Sequence, residues 1–132
     1  MKNNRQKKGF SLIELLVVIS IMAILITIGI TSLASVQRKS RDAKRKSDLR
    51  EIKIALEQYY SVCGFVYPTP VAEYYDPIVC WSPTTVGMLE TMPTDPRTGG
   101  NYYCGETCDE YGYYMCADME AEATPYCVRS SQ

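Results

Sequence analysis

FSLIELLVVISIMAILITIGI, residues 10–30, is the stretch on which the reading of this chain turns. Its 21 residues hold one charge, Glu14. At about 1.5 Å per residue they make about 31 Å of helix, close to the ~30 Å hydrocarbon core of a bilayer. Apolar side chains point in every direction around such a helix, which suits lipid or a bundle of like helices better than one side of a globular core. The helical reading extends well past residue 30. All seven prolines lie beyond residue 67, and only Gly9 and Gly29 precede Gly64. Residues 10–62 therefore read as one helix of roughly 80 Å.

Outward from that run, charge is laid down in blocks. The net charge of -1 over 132 residues hides them. Residues 1–9 carry Lys2, Arg5, Lys7 and Lys8, and residues 38–53 carry eight basic side chains against Asp42, Asp48 and Glu51. Beyond Ile54, eleven acids face only Arg97 and Arg129. An acidic head thus follows a basic stalk and an apolar anchor. Basic residues flank both ends of the apolar run, so the preference of Lys and Arg for the cytoplasmic side leaves its direction open. The pairs Arg38 with Asp42, Lys44 with Asp48 and Lys53 with Glu57 stand at i,i+4 and support the helix by about 0.2–0.5 kcal/mol each.

The second half of the helix is one-sided. Leu49, Ile52, Leu56, Tyr59 and Cys63 recur at spacings of 3 and 4, the period of a face laid on a core. Gly64 and Pro68 end the helix, the first by offering a left-handed cap and the second by being unable to continue it. Residues 65–98 read as irregular loop. After the turn-rich residues 93–100, the tyrosine-rich runs 101–104 and 111–117 read as antiparallel strands joined by residues 105–110, with a third short strand at 126–129. The fold class is α+β: a long helix whose second half packs on a small antiparallel sheet.

A head of this size draws only about 3–5 kcal/mol from its core and needs staples. Six cysteines, Cys63, Cys80, Cys104, Cys108, Cys116 and Cys127, all lie in the last 70 residues. An even number in a turn-rich segment points to disulfides and an oxidising compartment, with free thiols or a four-cysteine metal site as alternatives. Fifteen pairings are possible. Cys63 with Cys80, Cys104 with Cys108 and Cys116 with Cys127 close the shortest loops and are preferred for that reason.

The residues Lys7-Lys8-Gly9-Phe10-Ser11-Leu12-Ile13-Glu14-Leu15 resemble the class III signal of type IV prepilins and of the pseudopilins of type II secretion. The resemblance implies cleavage after Gly9, N-methylation of Phe10, and pairing of Glu14 with the amino terminus of a neighbouring subunit. A physical reading points the same way. An ordinary secretory signal is cut after its apolar region and would release a soluble head starting near Ala34, whereas a cut at Gly9 keeps the run as an anchor. A carboxylate within a membrane span costs about 2.5–3.5 kcal/mol and needs a partner. Beyond residue 60 the likeness thins. Tyr67-Pro68, Met92-Pro93-Thr94-Asp95-Pro96 and Gly100-Asn101-Tyr102-Tyr103 are similar to the major pseudopilin. That family's calcium loop is not recognisable, so Asp95, Asp109 and Asp118 read as surface or turn acids. Gly29 stands where the family often has a proline.

These readings divide the chain into a leader at 1–9, a transmembrane and filament-core helix at 10–36, an amphipathic continuation at 37–63, and an extracytoplasmic head at 64–132. The implied partners are other copies of the subunit, the prepilin peptidase, an inner-membrane platform protein, an assembly ATPase and membrane lipid. The implied location is the cytoplasmic membrane, then a pilus or a periplasmic or cell-surface filament. The basic run at 38–50 reads foremost as a solvated helix face. Nucleic acid, anionic headgroups, and attraction between the stalk of one subunit and the head of another are the other readings. The chain has no histidine, no phosphate-binding glycine loop and no acid pair in a cleft pattern. The reading is therefore non-enzymatic, with no catalytic residue, metal or cofactor.

Overall fold

The computed structural model describes residues 9–80 and 86–131. The leader assigned to residues 1–9 lies outside them except for Gly9. One helix, α1 (Leu12–Val62), is followed by five short strands: β1 (Ile78–Cys80), β2 (Val86–Leu89), β3 (Tyr103–Cys104), β4 (Tyr114–Ala117) and β5 (Tyr126–Arg129). The chain forms two compact units, residues 1–36 and 37–132.

In the first unit the Ser11 carbonyl accepts from the N–H groups of Glu14 (3.1 Å) and Leu15 (3.3 Å), which starts the helix. α1 runs through Gly29 without a break. Its most apolar 18-residue window has a mean hydropathy of 2.8 and no buried residue. Leu16, Ile19, Ile26 and Ile30 are all more than half exposed, which is the behaviour of an element whose environment is apolar.

In the second unit α1 presents Leu49, Ile52 and Leu56, each fully buried, and Ala55 to the head. Tyr59 and Tyr60 pack at the edge of the same core. Burying side chains of this size contributes about 1.5–3 kcal/mol each. The helix ends in a Schellman turn. Phe65 N–H donates to the Tyr60 carbonyl at 3.0 Å with Gly64 at φ 96°, and the Phe65 ring meets Tyr60 edge-on at 5.7 Å.

Across this face lie a two-stranded antiparallel sheet, β1-β2, and a three-stranded antiparallel sheet in the order β3-β4-β5. Ile78, Met115, Ala117 and Val128 point into the core beside the buried tyrosines Tyr67, Tyr75, Tyr102 and Tyr113. Two expectations need correction. The segment read as loop contains the β1-β2 hairpin, whose strands of three and four residues are too short to show a period between Pro77 and the Gly87 interruption. The strands read at 101–104 and 111–117 are shorter than expected. Tyr102 turns into the core, and the Asp109 carboxylate accepts from the N–H groups of Tyr111 and Gly112, which holds those residues in a turn.

Three disulfides staple the head. Cys63–Cys80 ties the end of α1 to β1, Cys104–Cys108 closes the loop after β3, and Cys116–Cys127 joins directly opposed residues of β4 and β5. No cysteine is left free, so a four-cysteine metal site has no ligands. In the chain-entropy account a loop of about 15 residues contributes about 3 kcal/mol.

Candidate functional site

In the first unit the side chains singled out by sequence sit at the very start of α1. Gly9 and Phe10 precede it, both exposed, and Glu14 lies in its first turn, also exposed. Two hydroxyls within the apolar segment bond to their own helix. Ser20 Oγ donates to the Val17 carbonyl and Thr27 Oγ1 to the Ala23 carbonyl, both at 2.8 Å, which removes the cost of a hydroxyl in hydrocarbon. Glu14 has no such solution. Among the described residues no cation pairs with it. A carboxylate in the first helical turn is favoured by the helix dipole, but that does not neutralise it.

The second unit holds a cluster that the sequence reading missed. Arg45, 3% exposed at the side chain, is gripped by three carboxylates. Its Nη1 donates to Asp42 Oδ1 at 2.6 Å, its Nε to Asp95 Oδ2 at 2.5 Å and its Nη2 to Glu120 Oε1 at 2.9 Å. Arg41 adds a bidentate pair to Glu120 at 2.7 and 2.5 Å. Asp42 also accepts from the N–H groups of Glu120 (2.9 Å) and Ala121 (2.8 Å). Lys46 pairs with Glu122 at the surface.

The basic run is therefore not simply a solvated face: its central charges clasp the acidic head of the same chain. Asp95 is a turn acid, bonded to the N–H groups of Arg97 and Thr98, and also a partner of Arg45. Asp109 is a turn acid, and Asp118 accepts from the Tyr103 hydroxyl. The i,i+4 pairs fared unevenly. Lys44 meets Asp48 at 2.6 Å, whereas Asp42 turns to Arg45 and Glu57 accepts from Tyr113 (2.8 Å), Tyr67 (3.2 Å) and Ser131 N–H (3.1 Å). A signal for the clasp was present, since Asp42 and Arg45 continue the spacing of 3 and 4 that leads into Leu49 and Ile52.

The electrostatics follow from these bonds. The Arg41 and Arg45 guanidiniums hold the Glu120 carboxyl down at about 2, and Arg45 holds Asp95 well below the usual range. At Asp42, burial opposes ionisation but is outweighed by the backbone donors of Glu120 and Ala121 and by Arg45. At Glu57, burial is likewise outweighed by the Tyr113 hydroxyl and Ser131 N–H. Carboxylates with depressed folded values stabilise the fold above their unfolded values, 3.8 for Asp and 4.5 for Glu, and the gain is lost as pH falls through the folded ones. The melting temperature of the full chain in detergent should be level above about pH 5 and fall steeply between about pH 4.5 and pH 2. A level curve through that window would mean that the clasp does not stabilise the head.

Residues 4–30 match the family model described as the prokaryotic N-terminal methylation motif. No curated protein and no solved structure matches the chain. The matched motif is a prepilin-type signal, which points to a structural protein and not an enzyme. It implies processing by a prepilin peptidase and assembly into filaments. With the apolar helix that follows, it fits a membrane-anchored precursor.

Proposed function

We infer that this chain, carrying the prepilin-type signal of type IV pilins and pseudopilins, is a structural subunit of a type IV pilus-like filament. It is cut after Gly9, N-methylated at Phe10, stored in the cytoplasmic membrane with its head outside, and assembled by a platform protein and an ATPase. The observation that carries this reading is the coincidence of the matched signal with one carboxylate, Glu14, that has no ion-pair partner among the described residues, at the head of an apolar helix that none of the described residues buries. Such a carboxylate needs a positive partner from outside, and a neighbour's amino terminus supplies one. Six cysteines joined in three disulfides support an extracytoplasmic head.

A pseudopilin of type II secretion is the second reading, favoured by the three stretches similar to the major pseudopilin. Two of them, 92–96 and 100–103, lie side by side: Thr94 and Asn101 form a bridge, and Asp95 N–H donates to the Gly100 carbonyl at 2.8 Å. A non-polymerising anchored surface protein is the third reading, and Glu14→Ala separates it, because only a filament subunit should lose assembly while keeping its anchor.

Intact mass and N-terminal sequencing of the membrane form, from a host with a prepilin peptidase, should give a chain beginning at N-methylated Phe10. A start near Ala34 would mean a secreted soluble head. An uncut Met1 beside an active peptidase would leave a simple anchored protein.

A further inference from the structure

The second unit carries two apolar surfaces that the head does not cover. On the side of α1 opposite its buried stripe, Ile54 is 59% exposed and floors an open groove of about 460 Å³ walled by Arg50, Lys53, Glu57, Gln58 and Ser61, with the Glu57 carboxylate turned to Tyr113, Tyr67 and the Ser131 N–H. Among the described residues neither Arg50 nor Lys53 has an ion-pair partner. Two of the basic charges left over after the clasp therefore flank an apolar floor, against the single carboxylate of Glu57.

The other surface is at the end of the helix. Phe65 takes φ 59°, a left-handed backbone unfavourable for a phenylalanine, and its ring is 70% exposed. Tyr60 backs one edge of that ring, and Val62, 55% exposed, precedes it on the last turn. The Tyr67 N–H bond to the Glu110 carbonyl, 3.0 Å, lays the exposed Tyr111 and the acids Asp109 and Glu110 alongside. The turn explains the backbone, but the Tyr60 contact covers only part of the side chain, and a largely exposed aromatic ring held beside other exposed apolar groups marks a contact surface.

We propose that the two surfaces meet between copies of this chain, the Phe65 tip of one subunit seating in the Ile54 groove of the next. Their charges select a second copy as the occupant, since the groove carries two bases without ion pairs against one acid, Glu57, and the tip carries the acids Asp109 and Glu110. They are different surfaces of one chain, so the contact is heterologous. Such a contact repeats from copy to copy and builds an open helical polymer unless its rotation closes a ring. The inference rests on the filament reading and adds to it a contact made by the heads and stalks, separate from the apolar anchor.

The test places p-benzoylphenylalanine at Phe65 in the full-length chain, made in a host with peptidase and assembly machinery, and irradiates sheared filaments. The expected product is a dimer whose linked peptide joins position 65 of one copy to residues 50–61 of another. Lys53→Glu should lower its yield about tenfold, and adding Glu110→Lys should restore most of it, since the pair is reversed and not removed. Mature Lys53→Glu subunit at parental level in the membrane serves as the folding control. Dimers joined through another segment, adducts with a different protein, or filaments that stay monomeric under irradiation overturn the contact and leave the filament reading standing. A parent chain that is processed and makes no filament overturns both.

Discussion

A Glu14→Ala variant is expected to be cut after Gly9 and to accumulate in the membrane at parental level while yielding no sheared filament. The sign follows from where the carboxylate is costly. In the membrane, Glu14 stands on a helix whose Ser20 and Thr27 hydroxyls are self-satisfied and whose described residues offer it no cation. A carboxylate there raises the free energy of the stored subunit by about 2.5–3.5 kcal/mol. In the proposed filament, pairing with the amino group of a neighbour relieves that cost only in the polymer. Alanine removes the cost and its relief together, so each addition step weakens by about 2.5–3.5 kcal/mol, or about 100-fold in association constant. Glu14→Gln should fall between the two, keeping a hydrogen-bond acceptor without the charge. Immunoblots of sheared and membrane fractions read both quantities at once. Parental filament yield from Glu14→Ala would remove Glu14 from assembly and return the carboxylate to a surface role.

Arg45→Ala is expected to lower the unfolding free energy of the head by about 3–5 kcal/mol, because removing one partner of a buried ion pair leaves the others charged and uncompensated. Here three carboxylates lose their shared cation, and Asp42 on the helix and Glu120 in the head are both nearly buried. That loss is as large as the whole core contribution expected for a head of this size, about 3–5 kcal/mol. The variant should survive only on its disulfides. Lys46→Ala, which breaks the surface pair with Glu122, should cost less than about 1 kcal/mol and sets the scale. Urea unfolding of the full chain in mild detergent, followed by near-ultraviolet circular dichroism of the tyrosines, distinguishes the two. An Arg45→Ala midpoint equal to that of Lys46→Ala would show the clasp to be a by-product of packing.

The long helix was legible because its signals are local and repeated: no proline before residue 68, an apolar run of bilayer length, and a stripe at spacings of 3 and 4. Its end was legible for the same reason, since Gly64 supplies a conformation that few residues adopt. The β1-β2 hairpin was not, because its pairing is decided by Ile78 and Cys80 reaching the core and the strands are too short to announce it. The Arg45 clasp joins residues 50 and 75 positions apart, a separation no local pattern encodes. Reading the stripe only for apolar residues stopped it at Leu49, although Asp42 and Arg45 lie on the same face. The first unit is the reverse case. The matched signal was visible as a resemblance carried by residues 7–18, and Glu14 as the one charge in an apolar run; the folded chain adds the absence of an internal partner among the described residues.

The disulfides have a bearing on how the head comes to be made. Each bond joins a cysteine to the next one along the chain, the first to the second, the third to the fourth, the fifth to the sixth. Nothing is nested or crossed. A head translocated from its N-terminal side thus presents each thiol with its correct mate as the next thiol to emerge, and a bond can close before its competitors have left the membrane. Oxidation can then proceed as a ratchet in step with export, with little call for reshuffling of wrong pairs.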